Sequence, residues 1–314
     1  MSNPSSFNQY STGHAVRLAC RDQRLTSQTA GLAPSYLQAN LLVLPARYAN
    51  DFRLLCARNP VPCPLIAESS QPGNFTHLRS HLAAPLPDTI LDAEGQATGN
   101  SAARVLDIAE DIDLRHDFPK YRIYENGQAL GEDFLDIEAL WTDMHVGFLI
   151  GCSYSFESAL AASGLTPRHQ LQGRNVPMYR TNIPLCPAGV FTGATYVVSM
   201  RPYRMQDVER VREITRPYVA THGEPIAWGW HGAKQLGIED ITQIQWGEQS
   251  LRNDGSGQAF DQSEEGYVPV FWGCGVTPQN AVMMAGLEGT VMAHSPGHMI
   301  VLDVREDHVF SVPV

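Results

Sequence analysis

The sequence predicts an α/β protein, a mainly parallel sheet covered on both faces, with a smaller α+β domain inserted into it. Three observations point there. Short, uninterruptedly apolar runs such as residues 41–44 read as strands buried on both faces. Segments with apolar residues at helical spacing alternate with such runs at both ends of the chain. Between residues 119 and 222 a hairpin signal and dense turn chemistry replace that alternation. Residues 119–222 are therefore assigned to the smaller domain, and 1–118 with 223–314 to the larger, discontinuous one.

Residues 1–13 are polar and read as a frayed end. A helical pattern over 13–28 (Val16, Leu18, Ala19) reaches the turn-like Thr29-Ala-Gly-Leu-Ala-Pro34. Residues 38–45 read as a strand and 48–58 as a helix stopped by Asn59-Pro60, with a second strand at 64–69. Residues 69–120, rich in Pro, Gly and Asp, read as loops and short elements. Asn126-Gly127 marks a hairpin over 121–130, and residues 136–145 read as a helix. After a helix-like segment at 156–162 come a β-type run at 194–200 and an amphipathic helix at 206–218. Strands at 225–228 and 267–272, a loop over 248–266, a helix at 278–286 and a last strand, His298 to Val304, complete the chain.

At 314 residues the chain can bury a large core, and 43% hydrophobic with 18% charged residues is ordinary for a globular protein. Neither a long apolar span nor a charged region followed by an apolar one occurs, so a cytoplasmic protein without membrane attachment is expected. Six cysteines (20, 56, 63, 152, 186 and 274) lack C-x-x-C pairing and read as free thiols. A formal charge of −11 disfavours nucleic acid, which is bound by neutralising phosphates. A small-molecule carboxylate is the expected partner; a homo-oligomer is left open, and no metal or cofactor is expected.

The chemistry concentrates between Phe148 and Met200. Phe148 to Ala159 (FLIGCSYSFESA) is echoed by Val270 to Ala281 (VFWGCGVTPQNA): an apolar run, Gly-Cys, two residues, Ser or Thr, then Glu or Gln two further on. Ser155 and Thr277 can cap the helices that follow. Each turn aims backbone N–H groups of Ser153 or Gly275 at a ligand carboxylate and favours a thiolate at Cys152 or Cys274. The competing reading makes both cysteines small buried residues in tight turns. Arg168-His169 follows Pro167 in a loop. Arg180 and Arg201 end β-like runs and match carboxylates bidentately, as loop ties also would. Asn182 lies near Arg180. Glu157 serves as an acid–base group or merely complements a helix dipole. His294 is a general acid–base candidate with a pKa near neutrality.

Taken in order, Thr29-Ala-Gly-Leu-Ala-Pro34, Gln38-Ala-Asn-Leu41, Arg58-Asn-Pro60, Cys63-Pro64, Gly151-Cys-Ser153, Ser155-Phe-Glu157, Arg168-His169, Asn175 to Thr181, Pro187-Ala-Gly189, Ser199 to Pro202, Phe271-Trp272, Cys274 to Gln279, and His294 with Pro296-Gly297 resemble the bacterial "putative hydro-lyase" family related to D-glutamate cyclase. The resemblance covers residues 25–303. It implies a cytoplasmic lyase that removes water from an amino dicarboxylic acid such as D-glutamate to form 5-oxo-D-proline. It also implies a three-layer α/β/α domain with a smaller α+β domain. Where the family has an aliphatic-His-aliphatic-Gly-Asp-Pro segment after His-Gly-x-Pro, this chain reads Ile226-Ala-Trp-Gly-Trp-His231, without that acid and imidazole.

The implied reaction assigns a carboxylate clamp to Arg180 or Arg201, an oxyanion site to the Gly-Cys turns, and proton transfer to His169 or His294. Two rivals stand beside it: a cofactor-free racemase using Cys152 and Cys274 as facing thiols, and a carboxylate-binding protein without turnover.

Overall fold

The structure, a computed structural model, describes residues 10–84 and 104–306. The expected fraying of residues 1–9, and the middle of the loop region at 85–103, lie outside the described residues. The first half runs α1 (Gly13–Arg21), β1 (Tyr36–Pro45), α2 (Ala49–Arg58), β2 (Leu65–Ser69), β3 (Leu78–Ser80), β4 (Ala83–Ala84), β5 (Arg104–Val105), β6 (Tyr121–Glu125), β7 (Gln128–Ala129) and β8 (His145–Gly151). The second runs α3 (Glu157–Ala162), α4 (Arg168–Leu171), β9 (Met178–Pro184), β10 (Thr195–Arg204), α5 (Val208–Thr215), β11 (Ala227–Trp228), α6 (Gly229–Gln235), β12 (Tyr267–Gly273), α7 (Val276–Ala285), β13 (Thr290–His294) and β14 (Ile300–Arg305).

Two sheets organise these elements. The larger has the order β3-β2-β8-β1-β13-β6-β7, with β14 also pairing β1; the smaller has β11-β12-β10-β9. The class is α/β, but the expected parallel sheet is not found: every strand pairing among the described residues is antiparallel. The misreading has a physical cause. β1 is apolar without interruption because both of its faces are covered, and double burial says nothing about strand direction. Leu37, Ala39, Leu41 and Val43 enter one hydrophobic cluster with Leu114, Phe118 and Ile123. Leu42 and Leu44 enter another, with Phe52 and Leu55 of α2 and Ala281 and Val282 of α7.

Local signals explain most boundaries. Thr12 Oγ1 accepts from the Ala15 N–H at 3.2 Å and starts α1, which stops at Arg21 because Gln23 turns left-handed (φ 54). The hairpin turns on Asn126 (φ 50) and Gly127 (φ 76), as the Asn-Gly pair predicts. The helix expected over 136–145 is absent. Only a 3₁₀ turn forms, at Glu138–Leu140, and Trp141 then extends while its Nε1 donates to the Gly73 carbonyl at 2.9 Å, before β8 begins at His145.

The internal likeness is a structural one. β8 and β12, each ending in the Gly of a Gly-Cys pair, lie beside β1 and β10, and the flanking strands follow in the same order, β2 and β13 against β11 and β9. The Cys152 N–H donates to the Gln38 carbonyl and the Cys274 N–H to the Val197 carbonyl, each at 3.1 Å. Ser155 Oγ accepts from the Gln38 N–H at 2.9 Å, and Thr277 Oγ1 accepts from the Val197 N–H at 3.0 Å. These hydroxyls were expected to cap their own helices. Instead both lie just inside a helical turn and clamp the backbone of the neighbouring strand.

Candidate active site

β8 delivers the chain to Gly151, where a Cβ would lie 1.9 Å from the Ala220 carbonyl oxygen, so only glycine fits. Cys152 is extended (φ −121), and its Sγ accepts from the Tyr154 N–H at 3.5 Å. A 3₁₀ turn over Ser153–Phe156 then hands Glu157 to the start of α3. Phe156 wedges this turn against Trp272 of β12, ring centroids 5.6 Å apart.

Glu157 is 1% exposed and lies opposite Arg201 of β10, which is 0% exposed. Arg201 Nε donates to Glu157 Oε1 at 2.7 Å and a second guanidinium nitrogen donates to the same oxygen at 2.5 Å. The rest of the guanidinium is satisfied by Ser199 Oγ and Ser153 Oγ, each at 3.0 Å. Gln170 Nε2 donates to the other carboxylate oxygen at 2.5 Å. Burial alone would push the Glu157 carboxyl up, but His169 and Arg201 outweigh it and hold it below its ordinary value. Burial likewise opposes the charge of Arg201, which Glu157 restores. A buried charge of either sign needs such pairing.

His169, on α4, stacks on Tyr154 with ring centroids 5.7 Å apart and planes 20° from parallel. Its Nε2 lies 3.3 Å from Glu157 Oε2, yet neither ring nitrogen makes a hydrogen bond to a described residue. A buried imidazole left without a hydrogen bond beside a buried carboxylate is costly to keep. The Tyr154 hydroxyl donates to Asn175 Oδ1 at 2.8 Å, and Asn175 Nδ2 donates to the Pro296 carbonyl at 3.1 Å. A cavity of about 160 Å³ reaches Glu157, Gln170, Tyr154 and Gln38, with Glu306 among its other lining residues.

Of the residues singled out from sequence, Glu157, His169, Arg201 and Ser153 are brought together here. Cys152 and Cys274 share one apolar cluster with Ala30, Tyr154, Val176 and Met299, with Trp246 packed against it. The helical turns were expected to favour thiolates, but burial dominates: it pushes Cys274 up to about 11 and Cys152 higher still. His294 was expected near neutrality, yet burial takes it down to about 3. Its Nδ1 lies 3.1 Å from the Leu41 N–H, 3.2 Å from the Leu41 carbonyl oxygen and 2.8 Å from Gln279 Nε2, while its Nε2 makes no hydrogen bond to a described residue. Gln279 stands where Glu157 stands in the other half, and each touches a buried imidazole.

Other candidates serve different ends. Arg168 donates to both Glu264 oxygens at 2.8 and 3.0 Å and stacks on Tyr267, so it is not free to clamp a substrate. Arg180 is exposed, with its guanidinium 5.5 Å above the Trp246 ring. Asn182 is exposed. Ser155 and Thr277 are occupied as strand clamps, and Gly275 is required because a Cβ would lie 1.9 Å from Asn40 Nδ2. In the segment that departs from the family pattern, His231 is exposed and Trp228 lies under Arg212, 4.4 Å from its ring centroid.

Sequence reasoning missed Tyr154, Gln170, Ser199, Gln279 and His222. His222 is 2% exposed, left-handed at φ 86, with Nδ1 2.8 Å from the Val61 carbonyl. The repeat could have flagged Gln279; for the others only the folded contacts carry the signal. Among the described residues no cluster of three or more His, Cys, Asp or Glu side chains could hold a metal, and no helix is long and apolar enough to cross a membrane.

Glu157, His169 and Arg201 thus form one buried cluster of ionisable side chains in an α/β scaffold. Residues 146–303 match the model of the family described as D-glutamate cyclase. A Schizosaccharomyces pombe protein named "Putative hydro-lyase" is 44% identical over 93% of this chain and 84% of its own length. A Bordetella petrii protein of the same name is 41% identical over 94% and 95% of the two chains, and one from Rubrobacter xylanophilus is 43% identical over 88% and 90%. The chain belongs to the D-glutamate cyclase family, and its relatives' names support the lyase class. The fungal relative corrects the expectation of a purely bacterial family.

Proposed function

We propose that this chain is a hydro-lyase that closes an amino dicarboxylic acid, with D-glutamate as the leading candidate, to its five-membered lactam. The observation that carries the reading is the buried Glu157–His169 pair beside Arg201. In the overall step the ammonium nitrogen loses two protons and bonds to the γ-carboxyl carbon. One carboxyl oxygen breaks away and leaves with two protons as water. His169 removes a proton from the amine and returns one to the leaving oxygen, while Glu157 orients the ring and stabilises its cationic form. Holding the acid folded supplies an intramolecular advantage of up to about 7–11 kcal/mol. The N–H groups of Cys152 and Cys274 are already bonded to strand carbonyls, so they are not the oxyanion donors.

A second reading is supported by the shared cluster of Cys152 and Cys274, which suits a two-thiol racemase. Burial disfavours the thiolate that such a reaction needs. Incubation with D- and L-glutamate separates the readings. Oxoproline formation supports the lyase, solvent deuterium at the α-carbon without ring closure supports the racemase, and folded protein giving no oxoproline from either enantiomer sinks the proposed reaction.

A further inference from the structure

His169 and Gln170 are consecutive on α4, and both reach the same oxygen of Glu157. Gln170 Nε2 donates to Oε2 at 2.5 Å, and His169 Nε2 lies 3.3 Å from that atom without a hydrogen bond to it. The other oxygen, Oε1, accepts two bonds from Arg201, which balances the carboxylate's charge from that side. Glu157 and Gln170 line the 160 Å³ cavity, whereas His169 is not among its lining residues. From the cavity, the imidazole is therefore reached past the contact between Gln170 and Oε2.

The cavity's charge is one-sided. Its described lining holds two carboxylates, Glu157 and Glu306, and no Lys, Arg or His. Ser158 Oγ, one residue beyond Glu157, donates to Glu306 Oε2 at 2.6 Å and ties the second carboxylate to the same wall. Such a wall favours a cationic group and repels an anionic one. The volume is about five times that of a water molecule in the liquid, which suits a small ammonium head rather than a nucleotide or a peptide. An ammonium brings three donors and a charge to Oε2, where the neutral amide brings one bond, so it is the stronger partner. Gln170 is only half-buried, which leaves its side chain somewhere to go. A nitrogen seated on Oε2 shares that oxygen with the unpartnered His169 ring.

We propose that this cavity is an amine subsite: the ligand's ammonium replaces the Gln170 amide on Glu157 Oε2, and Gln170 thereby sets how strongly an amino acid is preferred over a plain diacid. The choice of an amino dicarboxylate as ligand rests on the proposed function; the exchange at Oε2 does not require turnover. The test is binding of D-glutamate, L-glutamate and glutarate, followed by calorimetry, to the full chain and to Gln170→Met, which keeps the side chain's length and loses its donor. Gln170→Ala takes its place should that variant fail to fold. The expected result is that glutamate of one hand binds the parent more tightly than glutarate, which lacks the amine. The same glutamate should bind the folded variant about tenfold more tightly still, since a hydrogen bond to a charged group no longer has to be displaced. Glutarate should be unmoved, whereas a general loosening of the site would shift both ligands alike. Unchanged or weaker glutamate binding in the folded variant, or an equal shift for glutarate, overturns the subsite, and if the parent still forms oxoproline the lyase reading survives. A parent that binds glutarate as well as either glutamate also overturns the subsite. Tighter glutamate binding in the variant, with no turnover in the parent, upholds the subsite and refutes the reaction.

Discussion

Replacing Glu157 by Leu removes one member of a buried ion pair and leaves the Arg201 guanidinium at 0% exposure with the Ser153 and Ser199 hydroxyls and the Phe156 and Trp272 rings as its neighbours but no counter-charge. Breaking such a pair from one side costs about 3–5 kcal/mol, because an uncompensated charge stays buried. With a typical unfolding entropy per residue, that corresponds to a fall of roughly 5–8 °C in Tm for a chain of this length. Circular dichroism during thermal and urea unfolding measures it. The double variant Glu157→Leu/Arg201→Leu should recover more than about 1 kcal/mol of the summed single losses, since neither charge is then stranded. A single-variant loss below about 1 kcal/mol, or strict additivity in the double variant, would refute the claim that the two charges depend on each other.

Acid should weaken the fold through its buried histidines. Burial holds His222 near 4 and His294 near 3, below the ordinary 6.5. Both are therefore neutral when folded, and the unfolded chain takes up protons first. Their contribution is full above 6.5 and is lost as pH falls toward those lower values, so the urea midpoint should drop between about pH 7 and about pH 5, and less so in His294→Gln. Glu68, held down to about 2 by His81, Arg79 and Arg53 against burial, adds a loss below its ordinary 4.5 that Glu68→Gln should abolish. Ser155→Ala and Thr277→Ala each strand a buried strand N–H and should cost similar amounts, about 1–3 kcal/mol in urea titrations; a large inequality would count against the repeated clamp. Alkylation of native protein near neutral pH should mark the exposed Cys186 first, with Cys152 and Cys274 protected until unfolding, as peptide mapping would show.

Much of this was legible before folding, for reasons that differ by residue. The helix stop at Asn59-Pro60, the Asn-Gly hairpin and the Gly-Cys repeat are local signals, and local signals survive in a sequence. Strand direction is not local. β1 is bordered by β8 on one side and by β13 and β14 on the other, partners 100 or more residues away, and nothing in an apolar run says which way its neighbour travels. The same holds for charge. Glu157, His169 and Arg201 could be picked as reactive types, but only their pairing distinguishes Arg201, committed to Glu157, from Arg168, committed to Glu264. The pKa expectation at His294 failed because depth of burial, which sets its sign, depends on the whole sheet.

The most direct test of the account is proton NMR of ¹⁵N-labelled D-glutamate mixed with the parent chain, with Glu157→Gln and with His169→Asn, each first shown to be folded. A ¹⁵N-coupled lactam N–H signal should grow with the parent and be reduced about 10²–10⁴-fold in rate in both variants, the range for a lost acid–base group. Lactam forming at the parental rate in folded His169→Asn would contradict it.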